Sequence, residues 1–248
     1  MLTEQRKRIL LERLKRQGRI VAKDMSAELN LSEDTIRRDL RELAAAGLLL
    51  RVHGGALPAS PTVANLDARR TMAAAEKQRL GHAGARLVEP GQIVFIDGGT
   101  TNLELVRQLP LDLQVIAITH SPSIAAALEP HRNVDVILIG GSLLRHSMVS
   151  IGAVALDAIS QLRADLCFLG LTGLHSVEGA TTGNYEEAAI KRAIIGRSAD
   201  VVTLVTAEKL GAVSPHVICQ VAAITSVIVP HGAKVSRFGL EGLRLIHA

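Results

Sequence analysis

The chain has 248 residues, 48% of them apolar and 21% charged, which excludes a disordered chain and allows a sizeable buried core. Its net charge of +4 lies wholly in the first quarter: residues 1–60 hold 12 Lys or Arg against 8 Asp or Glu, while residues 61–248 hold 16 of each. That split points to a polyanionic partner for the N-terminal segment alone. The start carries no apolar stretch of signal-peptide type and no run approaches the roughly 18 apolar residues of a membrane span, so a cytoplasmic protein without a membrane partner is expected.

Residues 3–17 place Ile9, Leu10 and Leu14 at helical spacing, and Gly18 stops the helix. Val21 to Leu29 reads as a second short helix with Met25 and Leu29 inward. After Asn30-Leu31, Ser32 is a good N-cap, and Glu33 and Asp34 sit where the helix dipole favours anions. The third helix runs from Glu33 to about Ala46, with Ile36, Leu40 and Leu43 on its inner face, and Gly47 ends it. Leu48–Val52, a Gly54-Gly55 turn and Ala56-Leu57 read as a hairpin, and Pro58-Ala59-Ser60-Pro61 as a boundary.

Three short helices followed by a hairpin make a winged helix-turn-helix. With Ile36, Leu40 and Leu43 inside, Thr35, Arg37, Arg38 and Arg41 must face out, giving the basic surface of a helix that enters the major groove. Arginine pairs bidentately with guanine or phosphate. Arg51 and His53 beside Gly54-Gly55 suit a wing lying on the phosphate backbone. A basic helix alone also fits an ordinary solvated face with pairs such as Arg38–Glu42; the full order of elements favours DNA. The run LSEDTIRRDLRELAAAGLLLRVHGGA, Leu31 to Ala56, resembles the signature of the DeoR family of bacterial repressors. The resemblance implies that Arg37 and Arg38 belong to the recognition helix and that Arg51 to Gly55 form the wing.

From about residue 73 the pattern changes. A helix over Ala73–Leu87 precedes a strand over Ile93–Asp97. Further strands are expected at Val115–Thr119, Val134–Ile139, Asp165–Leu171, Val201–Val205, Ser226–Val229 and Leu243–Ile246. They alternate with helices at Thr101–Leu109, Ser121–Leu128, Ala153–Leu162, Glu186–Arg197 and from Lys234 onward. Continuous apolar strands alternating with helices predict a mostly parallel sheet covered on both faces. The fold class is therefore α/β: a head over residues 1–57, a linker over 58–72 and an α/β body over 73–248. Cys167 and Cys219 sit in apolar strand-like runs and read as buried, inert thiols.

In an open α/β sheet, ligands bind at the carboxyl ends of strands. Asp97-Gly98-Gly99-Thr100-Thr101 ends the first strand and opens a helix, a setting that suits a phosphate but equally a plain capped turn. It is neither a Walker loop nor a GxGxxG. Thr119-His120-Ser121, Gly140-Gly141 and Gly170-Leu171-Thr172-Gly173 end the next three strands, and together these turns suggest one shared cleft. Glu187 and Lys191 are four apart on a helix, the spacing of an ordinary surface pair. Lys209 follows the strand Val201–Val205. This region also resembles the DeoR effector domain, through IDGGTT, VDVILIGG, LRADLCFLGLTG, GATTGNYEEAAIKRA and the lysine of AEKLG. That domain is similar to ribose-5-phosphate isomerase. The resemblance implies a phosphorylated-sugar effector, its phosphate near Gly99, Thr100 and Thr101, with Lys191 or Lys209 supplying charge. Thr119-His120-Ser121 departs from the family's Thr-Asn-Ser, and Thr206-Ala207-Glu208-Lys209 from its Asp-Ser-Ser-Lys type.

The sequence thus reads as a repressor of sugar-metabolism genes with double-stranded operator DNA and a phosphorylated sugar as partners, acting as a homo-oligomer, dimer or tetramer. No metal or cofactor is implied, and no catalysis. The alternatives are an active sugar-phosphate isomerase with Glu186 or Glu187 as base, against which Leu171-Thr172-Gly173-Leu174 offers no carboxylate, and a DNA-binding regulator without a ligand.

Overall fold

The computed structural model describes residues 2–60, 66–233, 235, 240 and 242–248. Helix α1 (Thr3–Gln17) buries Leu10 and Leu14 and ends where Gly18, at φ 73°, returns its N–H to the Leu14 carbonyl. The second helix begins one residue later than expected. Ile20–Val21 instead form strand β1, and α2 spans Ala22–Leu29. The reason is tertiary: β1 pairs with residues 55 and 56 of the hairpin that follows. Helix α3 (Glu33–Ala45) starts at Ser32, whose hydroxyl accepts from the Thr35 N–H at 3.2 Å.

Strands β2 (Leu49–Val52) and β3 (Gly55–Pro58) form the hairpin. Its tight turn is His53-Gly54 rather than Gly54-Gly55, because Gly55 pairs with Val52 on one side and Val21 on the other. Ile20, Met25, Ile36, Leu40, Leu43 and Leu49 close the core of this head. A charged pair crosses it: Arg6 of α1 grips Asp39 of α3 in bidentate fashion, Nη2 to Oδ1 at 2.8 Å, with Asp39 fully buried. Helical periodicity could not reveal that pair, since each residue alone reads as a surface charge.

After α4 (Leu66–Thr71) and α5 (Ala74–Ala85), strand and helix alternate: β4 (Ile93–Ile96), α6 (Thr100–Arg107), β5 (Val115–Thr119), α7 (Pro122–Ala127) and β6 (Val134–Leu138). A hairpin of β7 (Ser142–Leu144) and β8 (Val149–Ile151) leads to α8 (Ala153–Ser160) and β9 (Ala164–Leu169). Next come β10 (Gly173–His175), β11 (Gly179–Thr182), α9 (Tyr185–Ile195), β12 (Ser198–Leu204), β13 (His216–Cys219), β14 (Ser226–Val229) and β15 (Leu245–His247). Seven strands form one sheet in the order β15-β14-β12-β9-β4-β5-β6, every pair parallel. Helices cover it, and apolar clusters lie on both faces. Strands β10, β11 and β13 make a separate antiparallel sheet, which the sequence pattern did not predict. The helix expected from Lys234 begins on a residue outside those described.

The order has one reversal. From β4 the chain adds β5 and β6 on one side, then crosses to place β9 on the other. A crevice opens where strand order reverses, outside the carboxyl ends of the two strands. Here those are β4 and β9.

The first residues of the stretch expected as a linker bond to the body. Pro58 and Ser60 bracket Val213: the Val213 N–H donates to the Pro58 carbonyl and the Ser60 N–H to the Val213 carbonyl, each at 3.0 Å. The Ser60 hydroxyl donates to the Thr172 carbonyl at 2.7 Å. Strand β3 of the head therefore runs directly onto the body.

Removing one partner of a buried ion pair strands the other charge, at a cost of about 3–5 kcal/mol. Arg6→Met should destabilise the head by that amount in denaturant unfolding. A loss under about 1 kcal/mol would mean that the Asp39 carboxylate finds other support.

Candidate functional site

The site is built outward from Asp97, the residue that follows β4, whose carboxylate is fully buried. Oδ1 accepts from the Gly98 N–H at 2.6 Å and lies 2.7 Å from His120 Nε2. Oδ2 accepts from the Gly170 N–H at 2.8 Å and from Lys191 Nζ at 2.5 Å. His120 Nδ1 in turn lies 2.8 Å from the Ser150 carbonyl oxygen. Both ring nitrogens of His120 therefore face oxygen atoms of the protein, a carboxylate on one side and a carbonyl on the other. Burial by itself would raise the Asp97 pKa; Lys191 and His120 overcome it and hold the carboxyl far below the usual range. Burial would likewise lower Lys191, and Asp97 with Glu187 raises it instead.

This arrangement corrects part of the sequence reading. Asp97 and His120 were candidate ligand contacts, but all their polar side-chain atoms are engaged inside the protein, behind the cleft wall. Ser121 donates its hydroxyl to the Met148 carbonyl and stands at the margin, near Gly99 and Thr100. Gly140 and Gly141, past β6, are exposed and do not line the cleft. Gly173 is buried where β10 packs on Ala212 and does not line it either.

The cleft itself lies at the β4–β9 reversal. Gly99, Thr100 and Thr101 form one wall, Gly170 and Thr172 another. The two loops touch: a Cβ at position 170 would stand 2.5 Å from the Gly98 carbonyl oxygen, so only glycine fits. Gly99 sits at φ 127° and leads into α6, whose first turn has no side-chain cap. Such a helix start presents unpaired N–H groups and a positive dipole end, which attract an anion. Thr101 Oγ1 in that turn is buried and has no hydrogen-bond partner among the described residues.

Cations close the remaining sides. Lys191, Lys209, Lys77 and Arg69 all line the cleft. Burial, together with the neighbouring Lys77, Arg69 and Lys191, outweighs Glu208 and pushes the Lys209 ammonium down to about 8. Burial also lowers Lys77 and Arg69, partly offset by Glu208 and Glu187 respectively. Positive groups that burial and mutual repulsion both disfavour are relieved when an anion enters. Glu187 is not free to balance them: Oε1 takes Lys191 at 3.3 Å, while Oε2 accepts from Thr182 at 3.1 Å and Ser147 at 3.3 Å.

Glu187, Lys191 and Lys209, candidates from sequence, do line the cleft with Gly99, Thr100 and Thr101. Thr172 lies in the Gly170-Leu171-Thr172-Gly173 turn expected at the cleft, while Arg69, Lys77, Ser147 and Thr182 were not singled out. The only sequence signal for the first two was a basic cluster, Arg69-Arg70 and Lys77, in the three quarters of the chain with no net charge, and that pattern also describes a solvated helix. The thiols are not reactive groups. Burial raises both, Cys219 to about 11 and Cys167 further still.

On the head, the outward face of α3 carries Arg37, Arg38 and Arg41, all exposed. Arg37 pairs with Glu33 at 2.7 Å. Glu42 takes Lys7 of α1 at 3.0 Å rather than Arg38, so among the described residues Arg38 and Arg41 keep their guanidinium groups available. The Ser32 and Thr35 hydroxyls bond each other at 2.9 Å over the start of the helix. Arg51, His53 and Gly54 are exposed at the hairpin, while Gly55 is buried in its ladder.

A winged head with an open basic helix, joined to an α/β body with a cation-lined cleft, defines a DNA-binding transcriptional regulator with a sensor domain. Family comparison agrees: residues 6–62 match the DeoR-like helix-turn-helix domain and residues 72–231 the DeoR C-terminal sensor domain. The chain belongs to the DeoR family of transcriptional regulators. It is 35% identical over 221 residues to the HTH-type transcriptional regulator GlpR of Haloferax volcanii, covering 85% of this chain and 83% of that one. It is 34% identical over 212 residues to the glycerol-3-phosphate regulon repressor of Escherichia coli K12, covering 85% and 84%. A putative aga operon transcriptional repressor of Escherichia coli O157:H7 is 30% identical over 246 residues, covering 98% and 91%. Among solved structures, ribose 5-phosphate isomerase A of Methanocaldococcus jannaschii shares 14% identity at a TM-score of 0.41, covering 55% of this chain and 54% of that one.

Asp97→Asn removes the charge that holds Lys191 and His120, both buried. Stability should fall by about 3–5 kcal/mol in denaturant unfolding at neutral pH. A variant as stable as the parent would show that the carboxylate is not the support of the site.

Proposed function

We propose that this regulator is a repressor of sugar-metabolism genes whose operator affinity is set by a phosphorylated sugar in the cleft at the β4–β9 reversal. The observation that carries the reading is the convergence of Arg69, Lys77 and Lys209, beside the ion-paired Lys191, on the uncapped start of α6, where Thr101 lacks a partner among the described residues. A phosphate group meets both needs, charge and acceptor oxygens. The relative named as a glycerol-3-phosphate regulon repressor supports a phosphate ester as effector. Asp97 and His120 brace the wall, and Glu187 with its hydroxyl partners faces the sugar end.

In this reading, residues 1–57 are the DNA head, 58–72 the connector and 73–248 the sensor. Arg37, Arg38 and Arg41, with Thr35, meet base edges and phosphates. Arg51 and His53 meet the backbone, with Gly54 at the tip and Ser32 and Gly55 holding helix and hairpin in shape. Operator half-sites require at least two heads, so the working form is a homo-oligomer, and its DNA partner places it in the cytoplasm. The cleft serves binding without turnover: Asp97 is spent on four donors and Glu187 on three, which leaves neither as a base.

A thermal-shift panel of phosphorylated sugars tests the sensor, since ligand at about 100 times its Kd adds about 2.7 kcal/mol. Gel-shift titrations on DNA upstream of the protein's own gene should then show altered affinity with the ligand that scores. No stabilisation by any member, with DNA binding intact, sinks the effector reading; turnover of a member sinks the non-catalytic one. Arg38→Ala should weaken operator binding by about 1–3 kcal/mol, and unchanged binding at moderate salt would remove Arg38 from the readout set.

The cleft also has a pH signature. Lys209 is charged below about 8 and neutral above it, so its attraction for an anion is present at pH 7 and lost toward pH 9. The phosphate monoester is already mostly dianionic at pH 7, its second pKa being about 6. Calorimetric affinity for the scoring ligand should therefore fall between pH 7 and 9, and Lys209→Met should flatten that decline.

A further inference from the structure

One side chain of the connector reaches both the cleft and the junction with the head. Arg69, on α4, lines the cleft beside Lys77 and Lys209. It also lines a second groove between head and sensor, whose walls include Leu49 and Leu50 of β2, Ser60 and Val213. Its position is fixed from two sides. Nη2 donates to the His146 carbonyl at 2.6 Å, and the Arg69 carbonyl accepts from Lys77 Nζ. Its Nε is buried and has no acceptor among the described residues. Thr101 Oγ1, in the same cleft and on a residue only 4% exposed, is the other buried group there without one. Unmade hydrogen bonds at buried donors are costly, and two at one cleft mark where acceptor oxygens belong.

We propose that Arg69 is the residue through which the connector reads the effector: an anionic group in the cleft accepts from Arg69 Nε and Thr101 Oγ1, tying α4 to the start of α6. This rests on the phosphate-ester reading above and adds to it a binding residue outside the sensor proper, together with the route of the signal. Ser60, on the head's side of the connector, donates to the carbonyl of Thr172, which itself lines the cleft. Val213, which Pro58 and Ser60 bracket, lines the groove that Arg69 shares. An anion that draws Arg69 toward α6 therefore acts on the same wall that anchors β3 of the head. The ligand has differential contact with two positions of the connector, which coupling requires.

The test uses the full chain, with inorganic phosphate as probe and chloride at equal ionic strength as control. Phosphate should raise the melting temperature of wild type and chloride should not. Arg69→Met should bind phosphate about tenfold or more weakly, the loss of one charge-assisted hydrogen bond. Arg69→Lys, which keeps charge and stem, should fall between the two, separating a lost anion contact from a lost fold; melting without ligand reports the fold of each. The second readout is the ratio of operator affinities with and without phosphate, which should collapse toward one in Arg69→Met. Equal phosphate binding and an equal ratio in all three proteins overturn the role of Arg69 and leave the effector reading standing. No response of wild type to phosphate or to any phosphorylated sugar overturns both.

Discussion

The carboxylate of Asp97 is the junction on which the sensor depends. It accepts from the Gly98 N–H past β4, from His120 past β5, from the Gly170 N–H past β9 and from Lys191 on α9. These elements are far apart in sequence, and this one group joins all four at a point. A buried carboxylate is tolerable only when its lone pairs are filled and its charge is met, and here Lys191, His120 and two backbone donors do both. Loss of any one donor would leave the others facing an expensive vacancy, so the set is kept or lost together.

What Asp97 fixes is the relative placement of the strand ends. The cleft needs the loops after β4 and β9 to touch and needs Lys191 to lean in from α9. With Asp97 neutralising Lys191 from behind, the net positive charge on the cleft side comes from Arg69, Lys77 and Lys209, opposed by Glu208. The inner charge is structural and the outer charge is available. That division explains why one side of the same cleft holds its protons tightly while Lys209 is poised near neutrality.

Among the described residues, the head joins this frame through Pro58 to Ser60. Two backbone hydrogen bonds to Val213 and one hydroxyl bond to Thr172 hold Pro58 to Ser60. At a net of about 0.5–1.5 kcal/mol each, these three bonds contribute about 1.5–4.5 kcal/mol, a range that overlaps the roughly 1–3 kcal/mol of an ordinary coupling free energy. A link much stronger than this would resist an effector, and a loose tether would not transmit it. The connector, read from sequence as a linker, brings Arg69 to the cleft and bonds Pro58 and Ser60 to Val213.

The head was legible because its signals are local. Ser32 caps the next turn, Gly18 and Gly47 close helices, and Ile36, Leu40 and Leu43 repeat at helical spacing, which forces Arg37, Arg38 and Arg41 outward. The parallel sheet was legible because strands buried on both faces must be apolar throughout, and β5 and β14 fall where their runs begin and end. Local pattern failed wherever partners were distant. It put Val21 in a helix, because only Gly55 makes it a strand. It offered His120 to a ligand, because a histidine past a strand carries no mark that Asp97 waits 23 residues earlier. It passed over Arg6, Asp39 and Arg69, whose charges look solvated until tertiary packing buries them. The sequence by itself therefore determined which elements form and which family they belong to, through spacing and caps that act within a few residues. Only the tertiary structure decided which polar groups are spent on each other and which remain for a ligand, because burial and pairing are properties of groups brought together from opposite ends of the chain.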